Sequence, residues 1–415
     1  MPYIDLINRV MQQEMGQKGL EIVEKQLSAM NLEPKAIEIE HIPAVAKSIS
    51  EAVVAVSTRE QAKKVYWELL KLLDIEKIVD GTEDPLLKAA QLADLGDAAS
   101  CAGEWVKALE YYRQIADTAA PGSGPLAEIK EGELHASMNE QDEAREHFGK
   151  AAQIAKENGN FIMEAMALRG IGYTCWRTGD FPEAIERFSK AISVALQVED
   201  QDMVGKLTID IGLVHQATGL YDKAIRKFEE AIEILSKSGD WDELARAYNN
   251  LGEVYKAQKD YNKALMSYQS CLEYAEKVRN EIMKAFALMN SAECYARQCH
   301  VGEAKEMLDQ AKPLVEEMKD DYLLSAVYLV NGLIAAHEGD WECVENSFEE
   351  DIELLKKIGY PYEVATNTLE YAKALVKKGD KDKAREKLKE ARKILVSLSS
   401  TKLLTEIDEV LSGLE

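Results

Sequence analysis

The side chains best suited to chemistry are thinly and irregularly placed. Six histidines stand at positions 41, 135, 147, 215, 300 and 337, with no spacing that pairs them as acid and base. Cys294, Cys299 and His300 form the tightest group of soft ligands. A zinc site needs about four ligands, commonly with a Cys-x-x-Cys element. Here the two cysteines fall at different helical phases, and Cys101, Cys175, Cys271 and Cys343 supply no second cluster. The chain has no phosphate-binding glycine loop, nucleophile elbow or His-Glu-x-x-His. These residues predict no catalysis, no metal and no cofactor. What recurs instead is the chemistry of recognition, with arginines and adjacent asparagines such as Asn249 and Asn250. An amide donates and accepts at once, so it can satisfy a peptide backbone.

The elements that position these residues come from an internal repeat. "LGEVYKAQKDYNKALMSYQSCLEYA", beginning at Leu251, is preceded 40 residues earlier by "IGLVHQATGLYDKAIRKFEEAIEIL" and 40 earlier again by "IGYTCWRTGDFPEAIERFSKAISVA". A small residue recurs at Gly132, Gly172, Gly212, Gly252, Ala292, Gly332 and Ala372. Ala144, Ala184, Ala224, Ala264, Ala304, Val344 and Ala384 follow twelve positions later, and Phe148, Phe188, Phe228, Tyr268, Leu308, Phe348 and Leu388 four beyond those. An earlier unit carries Gly96, Ala108 and Tyr112, offset by 36 because the loop from Pro121 to Pro125 alters the connection. The pattern predicts two packed helices per unit. The small residue and the alanine allow close approach, and the aromatic fills the space between. Gly103, Gly179, Gly219, Gly339 and Gly379 suit the turn between them. Asp180, Asp240, Asp260, Asp340 and Asp380 suit helix N-caps.

This pattern resembles the tetratricopeptide repeat family, with elongated 40-residue units similar to kinesin light chain and spindle-orientation scaffold proteins. The family's proline near the end of the second helix is missing, so that helix is expected to run on, as from Ala191 to Val198. The resemblance implies an all-α, right-handed superhelical solenoid of about eight helical hairpins over residues 84–398, with first helices lining the concave side. Offsets −6, −3, −2, +1, +4 and +5 from the small residue share one helical side. Placed on the concave side, they give an early cationic and aromatic zone of Arg169, Tyr173, Trp176, Arg177, Lys206 and Asp210. A polar middle zone holds Arg246, Asn249, Asn250, Glu253, Lys256, Asn290, Glu293 and Arg297, and a late apolar zone Ala326, Leu329, Val330 and Leu333. In the scaffold relatives, asparagine at the places of Asn250 and Asn290 grips an extended ligand. The carboxylate clamp of heat-shock co-chaperones is met at Arg169, Arg246 and Asn250, but Tyr173 and Asp210 replace its asparagines.

The expected function is therefore a protein-interaction scaffold that holds a peptide or partner segment, one with acidic residues in view of the arginines. The alternatives are self-assembly as a homo-oligomer, through solenoid ends or the late zone, and a regulator whose effector is residues 1–80. That block reads as four short helices, Tyr3–Met15, Gln17–Met30, Pro43–Val56 and Arg59–Val79. Breaks fall at Gly16/Gly19, Pro34 and Ser57–Thr58, with Thr58 and Gln61 as a capping box. It serves as an N-terminal cap or a docking module. Residues 399–415 read as a C-terminal capping helix with Leu403, Leu404, Ile407, Val410 and Leu411 on one side. A net charge of −24 argues against nucleic acid, and no apolar run is long enough for a membrane span. With no secretion signal, a cytoplasmic location is expected. In the seventh unit Val344 replaces the alanine and Asp351 stands where Ala191 and Ala231 stand. A carboxylate there must be paired, or be exposed by local loosening near residues 340–360. Circular dichroism should report an almost wholly helical chain, and appreciable β-structure would contradict the repeat.

Overall fold

The computed structural model describes residues 3–30, 32–33, 42–54, 65–66, 68–69, 79, 82–397 and 401–414. Among them every regular element is a helix. The eight repeats follow in order, each a first and a second helix. They are Pro85–Cys101 with Trp105–Ala116, Ser123–Ser137 with Gln141–Glu157, Phe161–Arg177 with Phe181–Ala195, and Gln201–Ala217 with Tyr221–Ser238. Then come Trp241–Ala257 with Tyr261–Val278, Glu281–Arg297 with Val301–Met318, Asp321–Glu338 with Trp341–Ile358, and Pro361–Lys378 with Lys381–Ser397. Thr401–Ser412 is the last helix. The chain divides into two compact units, Met1–Ala247 and Tyr248–Glu415.

The hairpins close as the spacing requires. A Cβ added to Gly212 would lie 2.6 Å from the Phe228 ring, and one added to Gly172 2.4 Å from the Phe188 ring. Gly96, Gly132, Gly252 and Gly332 meet Tyr112, Phe148, Tyr268 and Phe348 in the same way. Repeats six and eight use alanine, and there the ring gives way to leucine: Ala292 with Leu308, and Ala372 with Leu388, all buried in one core. The five aspartates cap as expected, each accepting from the backbone N–H three residues on, as Asp340 does from Cys343 at 3.1 Å. The residue before each cap is left-handed. Glycine fills that place in five repeats, and Asn139, Lys259 and Cys299 fill it in the others.

Three expectations are corrected. Tyr3–Ala29 is one helix rather than two, and a Cβ added to Gly19 would press on the Met11 carbonyl. The second helix of repeat three stops at Ala195, and a single 3-10 turn, Leu196–Val198, carries the chain to Glu199 in the left-handed region. The late zone is not an open apolar wall, because Leu329, Val330 and Leu333 are buried in the core of their own unit. Helix Ile42–Val54 falls within the expected Pro43–Val56 to one residue at its start, positions 55 and 56 lying outside the described residues, and Ser48 donates to Gln26 across to the first helix. Most of Arg59–Val79, with Pro34, Ser57, Thr58 and Gln61, lies outside the described residues. Ile7, Met11, Val23, Leu27, Val45 and Ile49 share one core with Leu92, Leu95 and Tyr112 of repeat one.

Asp351 follows the paired alternative. It is fully buried, and Asn367 of repeat eight donates Nδ2 to its Oδ2 at 2.8 Å, while its Oδ1 has no partner. Burial pushes its carboxyl up to about 7 against the pull of Asn367. The stability it contributes is full below the unfolded value near 4 and is lost as pH rises through about 7.

Two predictions follow from this packing. Phe228→Ala should cost about 3–5 kcal/mol by opening a cavity, and Gly212→Ala about 1–3 kcal/mol by overpacking. The double variant Gly212→Ala/Phe228→Leu, which copies the Ala292–Leu308 pair, should lose less than the sum of its single variants. Strict additivity in urea titrations would contradict the contact. Asp351→Asn should be more stable than the parent at pH 8, on the order of 2–4 kcal/mol, with the difference shrinking toward pH 4. A difference independent of pH would show that ionisation of Asp351 is not its source.

Candidate functional site

In the first unit Arg169, Tyr173 and Arg246 converge on one carboxylate. Asp210, from the first helix of repeat four, has a fully buried side chain. Arg169, one repeat earlier, donates Nε to its Oδ2 at 2.6 Å and Nη2 to its Oδ1 at 3.3 Å. The Tyr173 hydroxyl donates to Oδ1 at 2.6 Å and accepts from Arg169 Nη2 at 3.1 Å. Arg246 brings Nη2 to 3.9 Å from Asp210 and holds Glu243 at 2.6 Å. Burial and the neighbouring Asp210 charge push the Tyr173 phenol up to about 12, so it remains a donor. Burial alone would lower Arg169, but Asp210 holds it above its ordinary value. A buried charge needs such pairing. Trp176 stands half-buried with its ring edge-on to Tyr173, 6.3 Å between centroids. Lys206 pairs with Asp240 at 3.0 Å. Arg177 is exposed and donates to Asn139 at 3.2 Å.

In the second unit the middle zone forms a chain of hydrogen bonds and ion pairs. Asn290 donates to Asn249 Oδ1 at 3.2 Å and accepts from Lys256 at 2.9 Å. Lys256 also reaches Glu293 at 2.9 Å and Glu253 at 3.3 Å. Arg297 donates to Glu293 at 2.8 Å and pairs with Glu370 of repeat eight at 3.2 Å. Lys373 then links Glu370 to Glu406, and Lys259 closes on Glu406 at 3.0 Å. Burial would raise Glu293, but Lys256 and Arg297 hold it down at about 2. Burial would lower Lys256, which Glu253 and Glu293 hold well above its ordinary value. Asn250 stands apart. It is half-buried, and its amide has no hydrogen bond among the described residues.

The structure therefore brings Arg169, Tyr173, Asp210 and Arg246 together, and separately Asn249, Lys256, Asn290, Glu293 and Arg297. Most of the cations are neutralised within the chain. Sequence reasoning overlooked Glu243, Lys259, Glu370, Lys373 and Glu406. A signal existed for Glu370, which occupies the frame position of Asp210, Asn250 and Asn290. His135 and His147 stack at 5.1 Å, bonded to Glu140 and Glu128 respectively. Cys294 is buried, whereas Cys299 lies exposed on a turn. Among the described residues no group of three His, Cys, Asp or Glu could hold a metal ion, and no helix is long and apolar enough to cross a membrane.

The tetratricopeptide repeat family model matches residues 127–197, 204–277 and 243–317. No curated protein matches the chain. Solved structures share its fold at low identity. The apo form of RapI is 16% identical, with 87% of this chain and 99% of that one covered and a TM-score of 0.61. A Rap protein complexed with Competence and Sporulation Factor is 14% identical, covering 90% and 99% at 0.56. The apo quorum sensor NprR from B. thuringiensis is 14% identical, covering 91% and 99% at 0.52. The matched segments are tetratricopeptide repeats, and the paired-helix fold they belong to continues through the repeats on either side.

Proposed function

We propose that the protein is an interaction scaffold that holds a protein or peptide segment against the first helices of its repeats. The observation that carries this reading is Asn250. Its amide is half-buried and uncommitted, while its neighbour Asn249 is already bonded to Asn290. Such a group can pair with a peptide unit of a ligand, donating and accepting together. That a Rap protein of this fold has been solved with Competence and Sporulation Factor, and that NprR is a quorum sensor, supports a ligand-holding role.

The internal pairing changes the expected chemistry of the ligand. Arg169, Lys206, Arg246, Lys256 and Arg297 all have carboxylate partners. Attraction for an acidic segment then rests mainly on exposed Arg177, and recognition shifts from charge toward amide hydrogen bonds and the Trp176 ring. Self-assembly through the late zone loses its motive, since Leu329, Val330 and Leu333 are buried. The core that residues 1–80 share with repeat one favours a cap over a separate effector.

The intact chain should be used as bait, the captured partner identified by mass spectrometry, and its binding measured by calorimetry. Asn250→Ala should weaken that binding by roughly 1–3 kcal/mol, at least several-fold, with the melting temperature unchanged. Asn290→Ala should lower the melting temperature as well, because it also strips Lys256 and Asn249 of a partner. Normal binding by Asn250→Ala would move the contact surface elsewhere.

A further inference from the structure

In a solenoid each repeat touches its neighbours, and the second unit departs from that rule at two places. Arg297 of repeat six reaches Glu370 of repeat eight, passing over repeat seven. Lys259, on the turn of repeat five, reaches Glu406 on the terminal helix, 147 positions away in the chain. We infer that the terminal helix Thr401–Ser412 is a latch as well as a cap. Glu406, held between Lys373 and Lys259, ties the end of the unit to repeat five and keeps its inner side closed.

Contacts toward repeat eight and toward repeat five hold this helix, and they differ in kind. Toward repeat eight the attachment has an apolar base, with Ile407 and Leu414 buried in the core that holds Leu388 and Leu395, beside the Lys373–Glu406 pair. Arg392 adds a pair with Asp408, and Arg385 donates to the Leu414 carbonyl. Toward repeat five the bond to Glu406 is a charge contact, and Lys259 is 62% exposed. Exposed ion pairs are weak and screened by salt, whereas buried ones are screened much less. The Arg297–Glu370 pair, about 15% exposed on both sides, belongs to the second kind. With no apolar contact beside it toward repeat five among the described residues, the Lys259–Glu406 bond is the attachment to that repeat that ionic conditions can release without unfolding a repeat.

The test uses the full chain and reads hydrogen exchange over residues 256–262 and 401–412, with the radius of gyration from X-ray scattering. Between about 50 and about 500 mM salt, the parent should lose roughly tenfold protection in 256–262 and expand. Glu406→Gln should show the high-salt behaviour already at low salt, and Lys259→Glu should do so more strongly. Lys237→Gln, which removes the exposed Lys237–Glu233 pair, should change neither reading. Circular dichroism checks that each variant folds, and should Glu406→Gln fail, Lys259→Gln on the exposed turn takes its place. If the charge-removing variant matches the parent at low salt in both segments and in size, the latch does not exist. These readings involve no partner, so their outcome is independent of the scaffold proposal.

Discussion

The contact on which the rest of the structure depends is the one between a glycine in the first helix of a repeat and an aromatic ring in the second. At Gly172 and Gly212 the ring lies where a Cβ would be. Such closeness fixes both the distance between the two helices and the rotation of each about its axis. Once the glycine side is pinned against its hairpin partner, the remaining sides of the first helix are assigned, one to the preceding repeat and one to the inner surface. The alternative solution in repeats six and eight, alanine beneath leucine, preserves the same volume by trading a methyl group for the width of a ring. Interiors packed to crystal-like density permit such exchanges only in pairs.

Fixing that rotation places charged residues on an inner surface shielded from water by its neighbours. Charges there must be paired, and the cations find carboxylates on their own first helix or on that of another repeat. Asp210 gathers Arg169, Tyr173 and Arg246, and Glu293 gathers Lys256 and Arg297. Each of these two clusters consequently carries little uncompensated positive charge, although it is rich in cationic side chains. The Asn250 amide, the Trp176 ring and Arg177 stand outside these carboxylate pairs.

Asp351 shows how the array tolerates a departure from its own pattern. A carboxyl at a position where other units place alanine is accommodated by an amide from the next repeat and by a raised affinity for its proton. The ion-pair chain of the second unit is a departure of another kind, since it joins repeats that are not neighbours. Both devices bind the later repeats through polar groups where the first unit relies on apolar contact and the Asp210 hub.

The helical hairpins, their 40-residue frame, the glycine beneath the ring and the aspartate caps were all legible in the residues alone. Each arises from interactions within a few turns of chain, so local spacing carries the information. The rotational side occupied by Arg169, Tyr173, Asp210, Asn249 and Asn290 was legible for the same reason. Which of these side chains would be consumed by one another was not. Arg169 finds Asp210 at a separation of 41 residues, Arg297 finds Glu370 at 73, and Lys259 finds Glu406 at 147. Those pairings depend on how successive repeats are set against each other, a quantity no single repeat encodes. The same limit hid the burial of Leu329, Val330 and Leu333, an apolar stripe covered by the core of its own unit.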